Sequence, residues 1–499
     1  MSSDIKEKTE LHHIERKGTV DQLSSGADSY NEQDISSDIH APVVKSEAEK
    51  RFVKKLNWTL LPFVWLIVFI QFADKSSLSL SAVLGMLQDT HTNQSQYSLL
   101  GSVFYIGFIL FQIPNNYLIQ RLPISKYLGS LLILWGISVG CTALCQNFTQ
   151  LVVCRVLLGL FEAGTYPCLY IILNSLYRRQ EQSACFGFLW MSNGSGTIFA
   201  VLISYGVAHL DDAHGIAAWR WNYLVFGILT VAIGIATFFF LVDSPQSKYL
   251  RLTEEEKKIV ELRTQDNAVV MERTVKVSHY WESVKEIRYY LVILAAFCNN
   301  LSNGGLVVFS TPFVATLGFQ SLNAILLQIP SATISALFVL LAVVIHRKTN
   351  SMSLATIACG GIAMIGCILL ACLPHTAVKL LGYYLAWGFN GSYVMLLTLV
   401  ANNVSGYSKK IWYNASVMVA YTLGSFVGPL VMLDYEAPAY RSGMIIFVVG
   451  NLVVVACICL SLFLMKRTNT KRIAGRTSGK TDAHLDLTDK QDANFVYKL

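Results

Sequence analysis

The sequence predicts an all-α polytopic membrane protein with twelve transmembrane helices in two six-helix halves. Three observations lead there. Of 499 residues, 53% are hydrophobic and only 14% charged, whereas soluble domains carry about 25% charged residues. The charge is segregated, most of it lying in residues 1–56, 243–288 and 466–499. Between those stretches apolar runs of about 20 residues recur, each long enough to cross the hydrocarbon as a helix.

The elements follow in chain order. Residues 1–56 read as a polar, disordered tail with neither the apolar segment nor the small-residue cleavage site of a signal peptide. The N-terminal half, 57–242, holds spans at 57–78, 98–119, 127–146, 150–175, 184–208 and 221–242. A central loop, 243–288, carries the capping-box pair Thr253 and Glu256 at the start of a short amphipathic helix, read as a brace between the halves. The C-terminal half, 289–465, holds spans at 289–315, 323–345, 353–373, 378–400, 411–433 and 443–465, and 466–499 forms a second tail.

Orientation follows from the basic residues of the short loops. Loops after even-numbered spans hold Arg121 and Lys126, Arg178 and Arg179, Arg347 and Lys348, and Lys409 and Lys410; loops after odd-numbered spans hold only Arg220, Lys379 and Arg441. Both termini and the central loop are therefore expected on the cytoplasmic side. Asn93-Gln94-Ser95 and Asn147-Phe148-Thr149 then fall outside, with Asn93 the candidate glycosylation acceptor and Asn147 too close to the membrane.

Several function classes are disfavoured. The net charge of +7 sits beside the spans and not on one face, so no nucleic-acid partner is expected. The 11 cysteines fall almost entirely within apolar spans, with no Cys-x-x-Cys pair and no His at ligand spacing, so no disulfide framework, metal or cofactor is expected. Neither a phosphate-cradling loop nor a His-Glu-x-x-His or nucleophile motif occurs, which argues against ATP-driven pumping and against an enzyme.

Chemistry is concentrated in a few intramembrane polar residues. An ionised side chain in hydrocarbon costs at least ~2.5–3.5 kcal/mol, so such groups face cavities and mark ion or substrate paths. Arg155 and Glu162 lie in the fourth span, seven residues apart, which places them on one helix face about 10 Å from each other. Glu162 is the candidate proton site, with Arg155 as anion-binding cation and a static Arg–Glu brace as the bland alternative. Asp74 and Lys75 adjoin in the first span; neighbours on a helix diverge by about 100°, so each needs a partner elsewhere in the bundle. In the second half Asn299, Asn303 and Asn390, and in the first Tyr105 and Tyr166, either line a cavity or join helices.

These residues resemble a known family. Two groups of six spans about a charged loop resemble the major facilitator superfamily and its fold. Within it the chain resembles the anion:cation symporters, and most closely the fungal allantoate permease group. Asp74-Lys75, Gln112-Ile113-Pro114-Asn115-Asn116 with Arg121, the run from Arg155 through Gly159 and Glu162-Ala163-Gly164 to Pro167, Trp219-Arg220-Trp221, Asp243-Ser244-Pro245, and Ala401-Asn402-Asn403-Val404-Ser405-Gly406 carry the likeness. It implies proton-site roles for Asp74 and Glu162, anion binding or gating for Arg155, and a place for Arg121 at the cytoplasmic gate. Two departures stand out. Lys75 replaces the commoner Arg and forgoes bidentate carboxylate binding. In the loop signature Gly-x-x-x-Asp-Arg-x-Gly, residues Asn116, Gln120, Arg121 and Pro123 leave only the Arg.

The expectation is thus a plasma-membrane carrier, with the endoplasmic reticulum as alternative address, that imports a small organic anion with protons. Allantoate or another ureido acid, nicotinate and other vitamin-like carboxylates are the substrate candidates. A proton-coupled drug or cation exporter and a non-transporting nutrient receptor are the alternatives.

Overall fold

A computed structural model describes residues 46–474 and 487–499, apart from 245–246, 248–249, 251, 268–275, 375–376, 438 and 493. Residues 1–45 of the polar tail, part of the central loop and 475–486 thus lie outside the described residues. Two units are distinguished, Met1–Val53 and Lys54–Leu499. Of the first, Ser46–Val53 is described: Ser46 Oγ accepts the Glu49 N–H at 3.1 Å and Lys50 pairs with Glu47 at 2.8 Å, so this short piece begins as a capped helix.

Helices account for the rest, and no strand occurs among the described residues. In chain order they are α1 (Glu47–Ser81), α2 (Gln94–Ile119), α3 (Ile124–Thr142), α4 (Phe148–Glu162), α5 (Thr165–Leu176), α6 (Arg179–Ala208) and α7 (Ala218–Phe240). The central loop contributes α8 (Glu254–Asn267) and α9 (Val277–Val284). The second half comprises α10 (Ile287–Thr316), α11 (Ser321–Leu326), α12 (Gln328–Thr349), α13 (Met352–Cys372), α14 (Lys379–Ala386), α15 (Phe389–Asn403), α16 (Tyr407–Leu430) and α17 (Arg441–Ala474).

Local chemistry sets these limits. Asn93 and Gln96 form a capping box at α2, the Asn93 side chain accepting the Gln96 N–H at 2.8 Å. Asn147 caps α4 and Ser351 caps α13. The wide turn Ala82–Met86 after α1 turns on Gly85, whose φ of 99° suits a residue without Cβ. In the central loop the Thr253 hydroxyl accepts the Glu256 N–H at 3.3 Å and Glu256 accepts the Thr253 N–H at 2.9 Å.

Three spans read as continuous are interrupted. Span four breaks at Ala163-Gly164 because Pro167, in the first turn of α5, has no N–H to carry the ladder back. Span eight is α11 plus α12, and span ten breaks at Trp387-Gly388. Among the described residues nine segments are long and apolar enough to cross a membrane. The helices α2, α6 and α16, of 26, 30 and 24 residues, are also long enough to cross. Their polar groups, such as Ser102, Asn115, Thr422 and Ser425, are buried against other helices, so the lipid meets little of that polarity.

The C-terminal half carries a feature of the tail. α17 runs to Ala474, and residues 487–499 return to pack against the half's own helices. Asn403 exchanges two 2.7 Å hydrogen bonds with the Lys498 backbone, and Asn469 two of 2.9 Å with that of Tyr497. Each amide acts as a stand-in for a strand partner. Beneath them Lys409 lies 2.9 Å from Glu282 and 2.7 Å from Asp489 and also pairs with Glu286, while Arg288 meets Asp489 at 2.6 Å. The ammonium thus supplies the cation for three converging carboxylates.

Candidate functional site: a buried charge cluster between the halves

α4 buries a single stripe, Leu151, Arg155, Leu158, Gly159 and Glu162, which follows the helical repeat and carries both of its charges inward. α2 presses on this stripe. A Cβ on Gly159 would lie 1.9 Å from the Phe104 carbonyl oxygen, and one on Gly107 would lie 2.1 Å from that of Val156. Backbone-to-backbone approach of this kind requires glycine on both sides.

The two α4 charges do not pair with each other; α1 separates them. Lys75 Nζ lies 3.1 Å from Glu162 Oε1, and Gln71 Nε2, one turn earlier, donates to the same oxygen at 2.8 Å. Glu162 Oε2 is buried with no hydrogen-bond partner among the described residues. Arg155 instead donates to the Tyr223 hydroxyl at 2.7 Å. Its charge acts on Asp74, with which it lines a common cavity. Trp135 Nε1–H donates to Asp74 Oδ2 at 3.2 Å and the Ser77 hydroxyl lies 3.4 Å from Oδ1. The physical reason for this crossed arrangement is geometric. Charges two helical turns apart are too distant to bond, whereas of the divergent neighbours Lys75 meets Glu162 directly and Asp74 shares the cavity with Arg155 without pairing with it.

The cavity is small, about 30 Å³ of water-sized space, enough for one or two water molecules. Its walls come from both halves, with Asp74 and Lys75 on α1, Phe104 and Tyr105 on α2, Arg155 on α4 and Val308 on α10. Lys75 also lies over the Phe72 and Phe104 rings, 5.5 and 5.9 Å from their centroids. Tyr105, Tyr166 and Tyr421 stand within electrostatic reach of its ammonium.

The other residues singled out in the sequence make their direct side-chain contacts outside this cavity. Tyr166 contacts Asn193 at 3.5 Å and stacks on Tyr170. Asn299 donates to the Phe389 carbonyl at 3.2 Å, Asn303 to Ser425 at 3.2 Å and Asn390 to Ser335 at 2.7 Å, each joining two helices of the C-terminal half. Arg121 is exposed after α2 and lies over Tyr117 at 4.6 Å, a ring in place of a carboxylate. Asn93 is exposed and spends its side-chain oxygen on the α2 cap.

Hydrogen bonds between the halves gather where α1 ends and α2 begins. Tyr97 donates to the Val308 carbonyl at 2.5 Å, Gln94 to the Tyr440 hydroxyl at 2.9 Å, and Ser310 to Ser79 at 2.9 Å. The charge cluster lies beneath this seam.

Gln71, Trp135, Tyr223 and Tyr421 were missed by sequence reasoning. Gln71 had a legible signal, an intramembrane amide four residues before Lys75 and hence on its face. The other three look like ordinary buried aromatics until the helices are packed.

A sequence profile of the Major Facilitator Superfamily matches residues 64–429, most of the chain and all the charges just described. The chain belongs to that superfamily. Its relatives within it are transporters. It is 31% identical to the thiamine pathway transporter THI73 of Saccharomyces cerevisiae, over 94% of this chain and 90% of that protein. It is 29% identical to the allantoate permease of Saccharomyces cerevisiae, over 91% and 88%. Among solved structures, a bacterial homolog to the human lysosomal transporter Spinster, inward-facing and occupied, superposes with a TM-score of 0.63 at 16% identity, covering 86% of this chain and 99% of that one. A D-xylose-proton symporter gives a TM-score of 0.60 at 14% identity, covering 81% and 97%. These last two show the fold alone; the superfamily match and the curated relatives make this chain a multi-pass integral membrane protein of a transporter family.

Proposed function

We propose that this transporter imports a small organic anion together with protons by alternating access. The observation that carries the reading is the Lys75–Glu162 pair, in which one carboxylate oxygen is held and the other is buried without a partner. A substrate carboxylate that reaches Lys75 competes with Glu162 for the ammonium. Once displaced, Glu162 has lost its ion-pair partner, and in the proposed cycle it takes up the proton so that no unpaired charge stays buried. Substrate and proton thereby enter together. The transmembrane potential contributes ~2.3 kcal/mol per charge per 100 mV, so protons in excess of the substrate's charge drive accumulation.

Asp74 and Arg155 form the second acid–cation set, with Arg155 serving the anion's outer approach and Asp74 a second proton site. Tyr105 and Tyr166 flank the substrate, and the asparagines Asn299, Asn303 and Asn390 position the C-terminal half's contribution. Arg121 belongs to the cytoplasmic gate. The substrate class is a ureido acid such as allantoate, or nicotinate or another vitamin-like carboxylate, in keeping with the allantoate permease and thiamine pathway relatives. We place the halves at 57–242 and 289–465, the termini on the cytoplasmic side and the carrier in the plasma membrane. The seam at Tyr97, Gln94 and Tyr440 then closes the exterior.

Uptake into proteoliposomes under an imposed pH gradient tests this, with allantoate, nicotinate and other carboxylates screened in turn. Glu162→Gln is expected to abolish gradient-driven accumulation while substrate exchange persists. Normal accumulation by Glu162→Gln would overturn the proton assignment.

A further inference from the structure

We infer that Cys145 and Cys154 are a disulfide-forming pair that ties the end of α3 to the outer turn of α4. Their sulfurs lie 3.7 Å apart, in contact, across the α3–α4 connection. Spacing in the chain conceals this, because the two cysteines are nine residues apart in segments that read separately as apolar spans. The fold closes that gap. α3 ends at Thr142, a tight turn carries Cys145 inward, and Asn147 starts α4 so that Cys154 faces back on its second turn.

Three further observations support the pair. Both cysteines belong to one apolar cluster with Leu100, Phe148, Leu151 and Val152, so their side chains share the same neighbours. The segment 143–147 is anchored, since Arg220 of α7 donates to the Ala143 carbonyl at 2.7 Å. The loop carries no Lys or Arg, while the loops before and after it hold Arg121, Lys126, Arg178 and Arg179, which places it on the non-cytoplasmic, oxidising side. A disulfide has sulfurs about 2.05 Å apart, so closure needs a combined shift of roughly 1.7 Å. Cys145 lies outside any helix and its side chain can supply that shift. Cys141 is the other nearby cysteine, but it is exposed, and Cys145 meets its backbone carbonyl at 3.6 Å.

The chemistry is thiol–disulfide exchange with an oxidised dithiol protein of the secretory compartment. One cysteine thiolate attacks a sulfur of the donor's disulfide and releases one donor thiolate. The second cysteine thiolate then displaces the other donor sulfur, so two protons and two electrons pass to the donor as one S–S bond breaks and another forms. Cys154 immediately precedes Arg155, so the bridge sets the outer turn of α4 directly above the charge cluster.

The test uses the full-length protein in isolated membranes, quenched with N-ethylmaleimide, denatured in the presence of the same reagent and mapped by mass spectrometry with and without reduction. Without reductant, the expected result is a linked peptide pair two hydrogens lighter than the sum of its free thiols, with loss of maleimide labelling at Cys145 and Cys154 only. In Cys145→Ser, Cys154 labelling should rise from trace to complete. Full labelling of both cysteines in the native protein without reductant would overturn the inference. So would continued protection of Cys154 in Cys145→Ser, which would reveal another partner.

Discussion

Replacing Lys75 by Met strands Glu162 in the interior, and the size of the loss can be worked from the geometry. At 3.1 Å, an effective dielectric near 20 gives a Coulomb attraction of about 5 kcal/mol, most of which offsets desolvation of the two groups. Removing one partner of a buried pair costs about 3–5 kcal/mol, because the other charge stays buried without compensation. The two partners differ: the Lys75 side chain is 18% exposed and that of Glu162 0%. Lys75→Met should therefore destabilise more than Glu162→Gln, whose abandoned ammonium retains some water and the faces of two rings. The double variant Lys75→Met/Glu162→Gln leaves no unpaired charge and should recover at least about 1.5 kcal/mol relative to the sum of the single losses. Thermal unfolding of the four purified proteins in one detergent, at one pH, measures this. Strict additivity of the single effects would refute the pairing.

Three other outcomes follow from the packing. Gly159→Ala places a methyl 1.9 Å from the Phe104 carbonyl oxygen, so α2 and α4 must separate; overpacking of about 1–3 kcal/mol should appear as a lower melting temperature together with impaired transport. Tyr440→Phe removes the bond to Gln94, worth about 0.5–1.5 kcal/mol, and should increase modification of a cysteine introduced at Leu100; unchanged reactivity would argue against a gating role for the seam. At the tail, burial would raise the Asp489 carboxyl, but Arg288 and Lys409 outweigh it and hold the group below its ordinary value of 3.8. A depressed carboxyl contributes stability that is complete above that ordinary value and is lost as pH falls through the lower folded one. Hydrogen-exchange protection of residues 487–499, taken relative to the unfolded chain at each pH, should therefore hold from neutrality to about pH 4 and fall below it, and Asp489→Asn should lower it already at neutral pH.

The architecture was largely legible in the chain because a bilayer demands about 20 apolar residues per crossing and admits only helices or closed barrels. The same constraint exposes Asp74, Lys75, Arg155 and Glu162, since charge within such runs is costly enough to require a use. Less legible were the breaks beside Glu162 and Trp387, where one proline or glycine competes with a strong apolar signal. The asparagines were not legible in this way, because an amide in a span looks alike whether it lines a cavity or, as with Asn390 on Ser335, joins two helices.

The linear order of residues suffices for the number of crossings, the superfamily and the roster of intramembrane charges, because each depends on local composition and spacing. Partnership is different. That Lys75 meets Glu162, that Arg155 turns to Tyr223, and that Cys145 touches Cys154 depend on how α1, α3, α4 and α7 lie against one another. Contacts of this kind are set over a few ångströms by packed surfaces, and glycines such as Gly107 and Gly159 determine how closely those surfaces approach.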